Sequence, residues 1–146
     1  MARIEFEVTS DVPPERFLKA LTDFSPARAD VWPNIDTKNL KVHEVGTDSA
    51  DVTEGSSFAG GPVWERNRYD WSEPGTVKVT TVESNTWGPG SSWLYRIDPA
   101  DKGSRIRVTV ERHPISVKGR FIVVLLVLLG RQVMRGDLRR ILAKLV

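Results

Sequence analysis

Cysteine is absent from the 146 residues, and histidine and tyrosine occur twice each. Without thiols there is no disulfide framework, no thiolate metal site and no cysteine nucleophile. His43 and His113 are too few for a three-histidine zinc site, and both read as surface or strand-end residues. Neither lies near a nucleophile pattern: the Gly-x-Ser-x-Gly string is missing, so no hydrolase triad is expected. The glycine patterns that cradle phosphates are missing as well, and Gly88-Pro89-Gly90, lying between strand-like segments, is a turn. No cofactor and no metal is expected. The longest apolar run, Phe121 to Leu129, has nine residues between Arg120 and Arg131, against the ~20 that a membrane-spanning helix needs. The opening MARIEFEVTS alternates charged and apolar residues, unlike a secretory or transit segment, so a cytoplasmic location is expected.

What is present reads as one globular domain over residues 1–146, with 40% apolar and 27% charged residues. The net charge of +2 is unevenly spread. Residues 118–146 hold seven bases and one acid, net +6, and the other 117 residues hold 14 bases and 18 acids, net −4. A basic terminal helix on an acidic body reads first as a helix complementing its own sheet, with positive charge favoured near a helix C-terminus. Contact with an anionic membrane surface is the alternative.

Ile4, Phe6 and Val8 alternate with Arg3, Glu5 and Glu7, the pattern of a half-buried strand. Ser10 and Asp11 before Pro13-Pro14-Glu15 predict a capped helix start, and Phe17, Leu18, Leu21 and Phe24 follow at helical spacing. Ser25-Pro26 opens a second short helix that Trp32-Pro33 stops. From there the period returns to two, predicting strands at about 39–46, 49–55, 62–72, 76–85, 91–98 and 104–113. The turns between them, among them Gly60-Gly61-Pro62, are too short for parallel crossovers, so the strands run antiparallel. The segment 118–145 is one long helix. Its apolar run predicts a first half enclosed on all sides. Its second half narrows to an amphipathic stripe of Met134, Leu138, Ile141, Leu142 and Leu145 with the arginines opposite, as on a surface helix, and Gly119, Gly130 and Gly136 are hinge or close-packing points.

The α+β order of strand, two short helices, six strands and one long helix requires that helix to cover the sheet. Val12 to Phe17, Trp32, the run from Trp64 to Pro74, Gly90 to Trp93, Gly103 to Arg105 and the closing helix together resemble the START/polyketide-cyclase-like superfamily, or SRPBCC, in its small, actinobacterial-looking members. The resemblance covers nearly the whole chain. It implies a helix-grip fold shared with the birch-pollen allergens, in which a curved seven-stranded antiparallel sheet wraps a long C-terminal helix. It also implies a cavity for a hydrophobic, aromatic or lipid-like small molecule.

Counting by two along the strands gives an inward set: Val77, Val79, Thr81, Glu83, Trp93, Tyr95, Ile97, Ile106, Val108, Val110 and Arg112. The strand 62–72 is ambiguous, and three charges on Arg66, Arg68 and Asp70 turn Glu65, Asn67, Tyr69 and Trp71 inward. Trp32, Trp71 and Trp93 are candidates for stacking on a flat ligand. The expected ligand-binding set is therefore Trp32, Glu65, Asn67, Tyr69, Trp71, Thr81, Glu83, Trp93, Tyr95 and Arg112. Proton-moving candidates are Tyr69, Glu65, Tyr95 and Arg112, and Glu65 with Glu83 is a candidate acid pair. Glu83 and Arg112 are alternatively a pair, or strand-end residues in solvent.

Three functions follow. The first is a carrier or sensor of a hydrophobic ligand. The second is a cofactor-independent polyketide cyclase or aromatase, and the third an interaction protein using the basic helix. No nucleic acid is expected as a partner; peripheral membrane contact, a protein partner and a homodimer remain open.

Overall fold

The computed structural model describes residues 1–58 and 61–146; Gly60, part of an expected turn, lies outside them. Strand β1 (Ala2–Ser10) leads to α1 (Pro14–Thr22) and α2 (Arg28–Val31), then a 3-10 turn at Thr37–Asn39. Six strands follow: β2 (Lys41–Val45), β3 (Ser49–Phe58), β4 (Gly61–Asp70), β5 (Thr76–Ser84), β6 (Ser92–Ala100) and β7 (Gly103–Arg112). Helix α3 (Val117–Lys144) closes the fold. The seven strands form one antiparallel sheet ordered β1-β7-β6-β5-β4-β3-β2. It is the α+β helix-grip arrangement, a curved sheet around a long terminal helix.

The period-two reading holds where the strands are regular. Ile4, Phe6 and Val8 are buried on β1, as are Tyr95 and Ile97 on β6 and Ile106, Val108, Val110 and Arg112 on β7. The outer face of β1 carries ion pairs of Arg3 with Glu111 at 2.9 Å and of Glu7 with Arg105 at 3.1 Å. On the same faces Glu5 pairs with Arg3 and Arg107 with Asp98. Such exposed pairs contribute about 0–1 kcal/mol each. Strand β2 is exposed at all five residues and carries a register shift between Val42 and Glu44. Between β4 and β5, Gly75 takes φ +74, which a β-carbon would strain.

Three expectations are corrected. Ser10 and Asp11 do not cap α1: Ser10 Oγ accepts the Val12 N–H at 3.1 Å, and the N-cap position is Pro13. Glu83 does not face inward. Arg66 pairs with Glu83 but the next residue, Asn67, pairs with Thr81, so a bulge at Val82 ends the alternation and leaves Glu83 exposed.

The third correction concerns α3. Its first half, expected to be enclosed, is exposed over most of its apolar residues, whereas the second half is amphipathic as expected, with Leu138, Ile141 and Leu142 in the core and Arg139 and Arg140 exposed. The helix starts at Ser116, whose Oγ accepts the Gly119 N–H at 2.9 Å. It then rests on the body at two glycines. A β-carbon on Gly119 would lie 2.7 Å from the Thr86 carbonyl oxygen, and one on Gly130 2.7 Å from Ile4 Cδ1. Gly136 has nothing within 4 Å of that position. The helix meets the sheet along a narrow line there, so apolar residues around it stay in solvent.

These glycines should respond oppositely to substitution. Gly119→Ala forces a backbone carbonyl to move and should destabilise by about 1–3 kcal/mol, whereas Gly136→Ala should stabilise by up to ~1 kcal/mol through helix propensity. Chemical denaturation of the two variants measures both.

Candidate functional site

Between the inner face of the sheet and α3 lies a cavity with two adjoining lobes, of about 330 and 180 Å³. Phe6, Val79, Trp93, Tyr95, Leu138 and Ile141 are among the apolar and aromatic residues that line the larger lobe. Trp32, immediately after α2, lines the larger lobe, and Trp87, Ile122 and Arg112 reach the smaller lobe. Val133 and Asn34, both exposed, lie at the rim of the larger lobe. Cavities with mainly apolar walls and a few polar groups are the usual sites for small molecules.

The polar groups form one connected chain across the sheet. At its deep end the Arg28 side chain is 2% exposed, and its Nε donates to Glu54 Oε2 at 3.0 Å. The Arg28 Nη1 group donates to the carbonyls of Leu21 and Asp23, both at 3.0 Å, and Nη2 to the Tyr69 hydroxyl at 2.7 Å. Phe24, Trp32 and Tyr69 surround the guanidinium with ring centroids 4.8, 5.4 and 5.3 Å away. Glu54 Oε1 also accepts the Tyr69 hydroxyl in a short hydrogen bond and the Asn67 amide at 3.2 Å. From Asn67 the chain passes to Thr81 Oγ1, 3.0 Å from Asn67 Oδ1 and 3.2 Å from Glu65 Oε2. Arg112 then holds Glu65 with two bonds of 2.8 and 3.2 Å, between Trp87 and Trp93 at 5.2 and 5.1 Å.

This arrangement fixes the protonation states. Burial works against the Arg28 charge, but Tyr69 and Glu54 outweigh it, so the guanidinium pKa is raised and Arg28 stays charged. Burial pushes the Tyr69 hydroxyl well above its usual value even though Arg28 opposes the shift. Burial likewise raises Tyr95. Both phenols are therefore neutral at ordinary pH, able to donate a hydrogen bond and poor as acids.

Of the expected ligand-binding residues, Trp32, Glu65, Asn67, Tyr69, Trp93 and Tyr95 line the larger lobe, and Arg112 the smaller. Thr81 is buried beneath them and bridges Asn67 to Glu65. Trp71 does not reach the cavity wall; its ring lies 6.3 Å from Phe24 and its Nε1 donates to the Thr47 carbonyl. Glu83 points away, so it neither pairs with Glu65 as a second acid nor neutralises Arg112, whose partner is Glu65. His43 is exposed and 2.7 Å from Thr53 Oγ1. The sequence reading missed Arg28 and Glu54. The alternation Ala50, Val52, Glu54 was the available signal for the carboxylate, and an inward acid in turn calls for a buried base. Nothing local marks Arg28, since a four-residue helix has no periodicity to read.

A family model described as polyketide cyclase / dehydrase and lipid transport matches residues 1–146. The chain belongs to this family. Its solved structural relatives are distant. A Thermus thermophilus protein is 14% identical with a TM-score of 0.77, covering 99% of this chain and 97% of its own. A Streptomyces aromatase/cyclase is 18% identical at the same TM-score, with 99% and 93% covered. A START superfamily protein from Mycobacterium smegmatis is 12% identical, at 0.73 with 99% of both chains covered. Likeness at this level is one of fold, and plant proteins, among them one from Panax ginseng, share it. Among curated proteins, none matches the sequence.

For this polyketide cyclase/lipid transport family member, the Arg28–Glu54 pair makes a sharp stability prediction. Arg28→Met leaves Glu54 buried without its partner and should cost about 3–5 kcal/mol, while Arg28→Met combined with Glu54→Leu should recover most of that loss. Urea titration of the two single variants and the double variant tests it. A double variant as unstable as the sum of the singles would show that the pair is not acting as a unit.

Proposed function

We propose that the protein binds a hydrophobic, aromatic or lipid-like small molecule in this cavity and acts as its carrier or sensor. The observation that supports this reading is the pairing of the cavity's charges with one another. Arg28 is matched by Glu54 and Arg112 by Glu65, at 3.0 and 2.8 Å, and Asp137, also on the wall, by Arg140 at 2.9 Å. A ligand therefore meets an electrically balanced wall and is held by apolar and aromatic contact, mainly from Trp93, Tyr95, Leu126 and Ile141. The phenols are protonated and already hydrogen-bonded or buried, which suits binding better than proton transfer.

A cofactor-independent cyclase or aromatase is the second reading, and Glu65 favours it. Its side chain borders both lobes and retains 12% exposure. A carboxylate in that position can accept a proton from a substrate folded in the cavity and become neutral, leaving Arg112 to stabilise the negative charge left on the substrate. Glu65→Gln separates the two readings: a carrier keeps its ligand affinity and an enzyme loses turnover.

The first test is native mass spectrometry of freshly purified protein, followed by extraction and identification of any released molecule. The expected result is a bound apolar species. Leu126→Trp, which fills space shared by both lobes, should lower its occupancy at least about tenfold, equivalent to ~1.4 kcal/mol. A species whose occupancy is unchanged in Leu126→Trp would sit elsewhere and overturn the assignment.

A further inference from the structure

The first half of α3 presents a surface that the cavity does not explain. Phe121, Val124, Leu125, Val127, Leu128 and Leu129 are all exposed, Phe121 at 62% and Leu128 at 70%. At 100° per residue these side chains cover more than half of the helix circumference. The remaining side holds Gly119 and Gly130, where the helix touches the body. Contiguous apolar surface beyond a few hundred Å² marks an interaction site on a soluble protein.

Its surroundings specify the partner. Arg120 and Arg131 flank the apolar segment, and Arg139 and Arg140 continue the outer face toward the C-terminus, all exposed. No carboxylate occurs between Arg112 and Gly136. Among the described residues, the one ion pair formed by an α3 cation is Arg140 with Asp137, on the same helix. The basic residues therefore do not complement the acidic sheet. The apolar surface is also convex, being the outside of a cylinder, and a fluid acyl phase conforms to such a surface without a preformed groove. No helix among the described residues is long and apolar enough to cross a membrane, which leaves the in-plane or shallowly inserted mode of an amphipathic segment with a cationic border. Val133 and Leu126 border this segment and also line the cavity.

We propose that the first half of α3 is an interfacial anchor for an anionic bilayer. Phe121, Val124, Leu125 and Leu128 enter the acyl boundary while Arg120, Arg131 and Arg139 lie among the phosphates. Docking in this way sets the rim of the cavity against the lipid. The anchor goes beyond the ligand-binding reading and does not depend on it: an empty cavity would leave it standing, and a filled one would not establish it.

Co-sedimentation of the full chain with mixed phosphatidylglycerol–phosphatidylcholine vesicles, and with pure phosphatidylcholine vesicles, tests the anchor. Light scattering of the protein alone accompanies it. Binding is expected on the anionic vesicles, weaker on the neutral ones, and decreasing with added salt. Val124→Ser with Leu128→Ser, both at exposed positions, should lower the partition coefficient at least about tenfold with unchanged circular dichroism. Arg131→Gln with Arg139→Gln should lower it by about tenfold at low salt and flatten its salt dependence. Absence of wild-type binding to anionic vesicles overturns the proposal, as does binding that Val124→Ser with Leu128→Ser leaves unchanged. A wild-type dimer that the same serine substitutions dissociate also overturns it, by assigning the surface to a second copy of the chain.

Discussion

The buried ion pair between Arg28 and Glu54 organises the part of the molecule that closes the cavity. One guanidinium ties three pieces of chain together: carbonyls at the end of α1, the carboxylate on β3, and the Tyr69 hydroxyl on β4. Two short helices would otherwise have little to define their angle to the sheet, because α2 has four residues and α1 nine. Removing two charges from water costs several kcal/mol per ion, and their attraction offsets that cost only with good geometry and filled hydrogen bonds. Both conditions hold here. The pair thus contributes less to net stability than to a single defined placement of α2, and with it of Trp32 on the cavity wall.

A second Arg–Glu pair, formed by Arg112 and Glu65, repeats this chemistry toward the other lobe, and Asn67 and Thr81 join the two. The inner face of the sheet is therefore polar along one continuous line and aromatic or aliphatic on either side. Each arginine also lies against aromatic faces, Arg28 against Phe24, Trp32 and Tyr69 and Arg112 against Trp87 and Trp93. Such contacts partly replace hydration for a buried cation. The cavity wall can in this way include five charged side chains, Asp137 among them, and still offer a ligand a surface that is mostly carbon.

The antiparallel succession of the strands and most of the inner face were legible because period-two alternation and short turns are local properties of a chain. The choice of face for β4 rested on three charges, Arg66, Arg68 and Asp70, and Asn67 and Tyr69 are indeed buried opposite them. Glu83 was misplaced because one extra residue, Val82, shifts the phase, and no glycine or proline marks it. Glu54 was readable from Ala50 and Val52, four and two residues earlier. Arg28 was not, since its burial depends on groups far away in sequence. Helix α3 misled for a different reason: an apolar segment reveals that it avoids water, without revealing which apolar medium receives it. Whether the cavity serves transport or catalysis was not legible either, because that depends on how a handful of side chains face a bound molecule.

The pairing of the first strand with the last has a kinetic meaning. Arg3 bonds to Glu111 across 108 residues of chain, so β1 has no strand partner until β7 has been made. Closing so long a loop carries a large entropic cost before any contact rewards it, and folds rich in such contacts form slowly. Folding therefore leaves Ile4, Phe6 and Val8 without a strand partner until β7 is in place. The charges of Arg3, Glu5 and Glu7 on the opposite face oppose aggregation of that waiting strand.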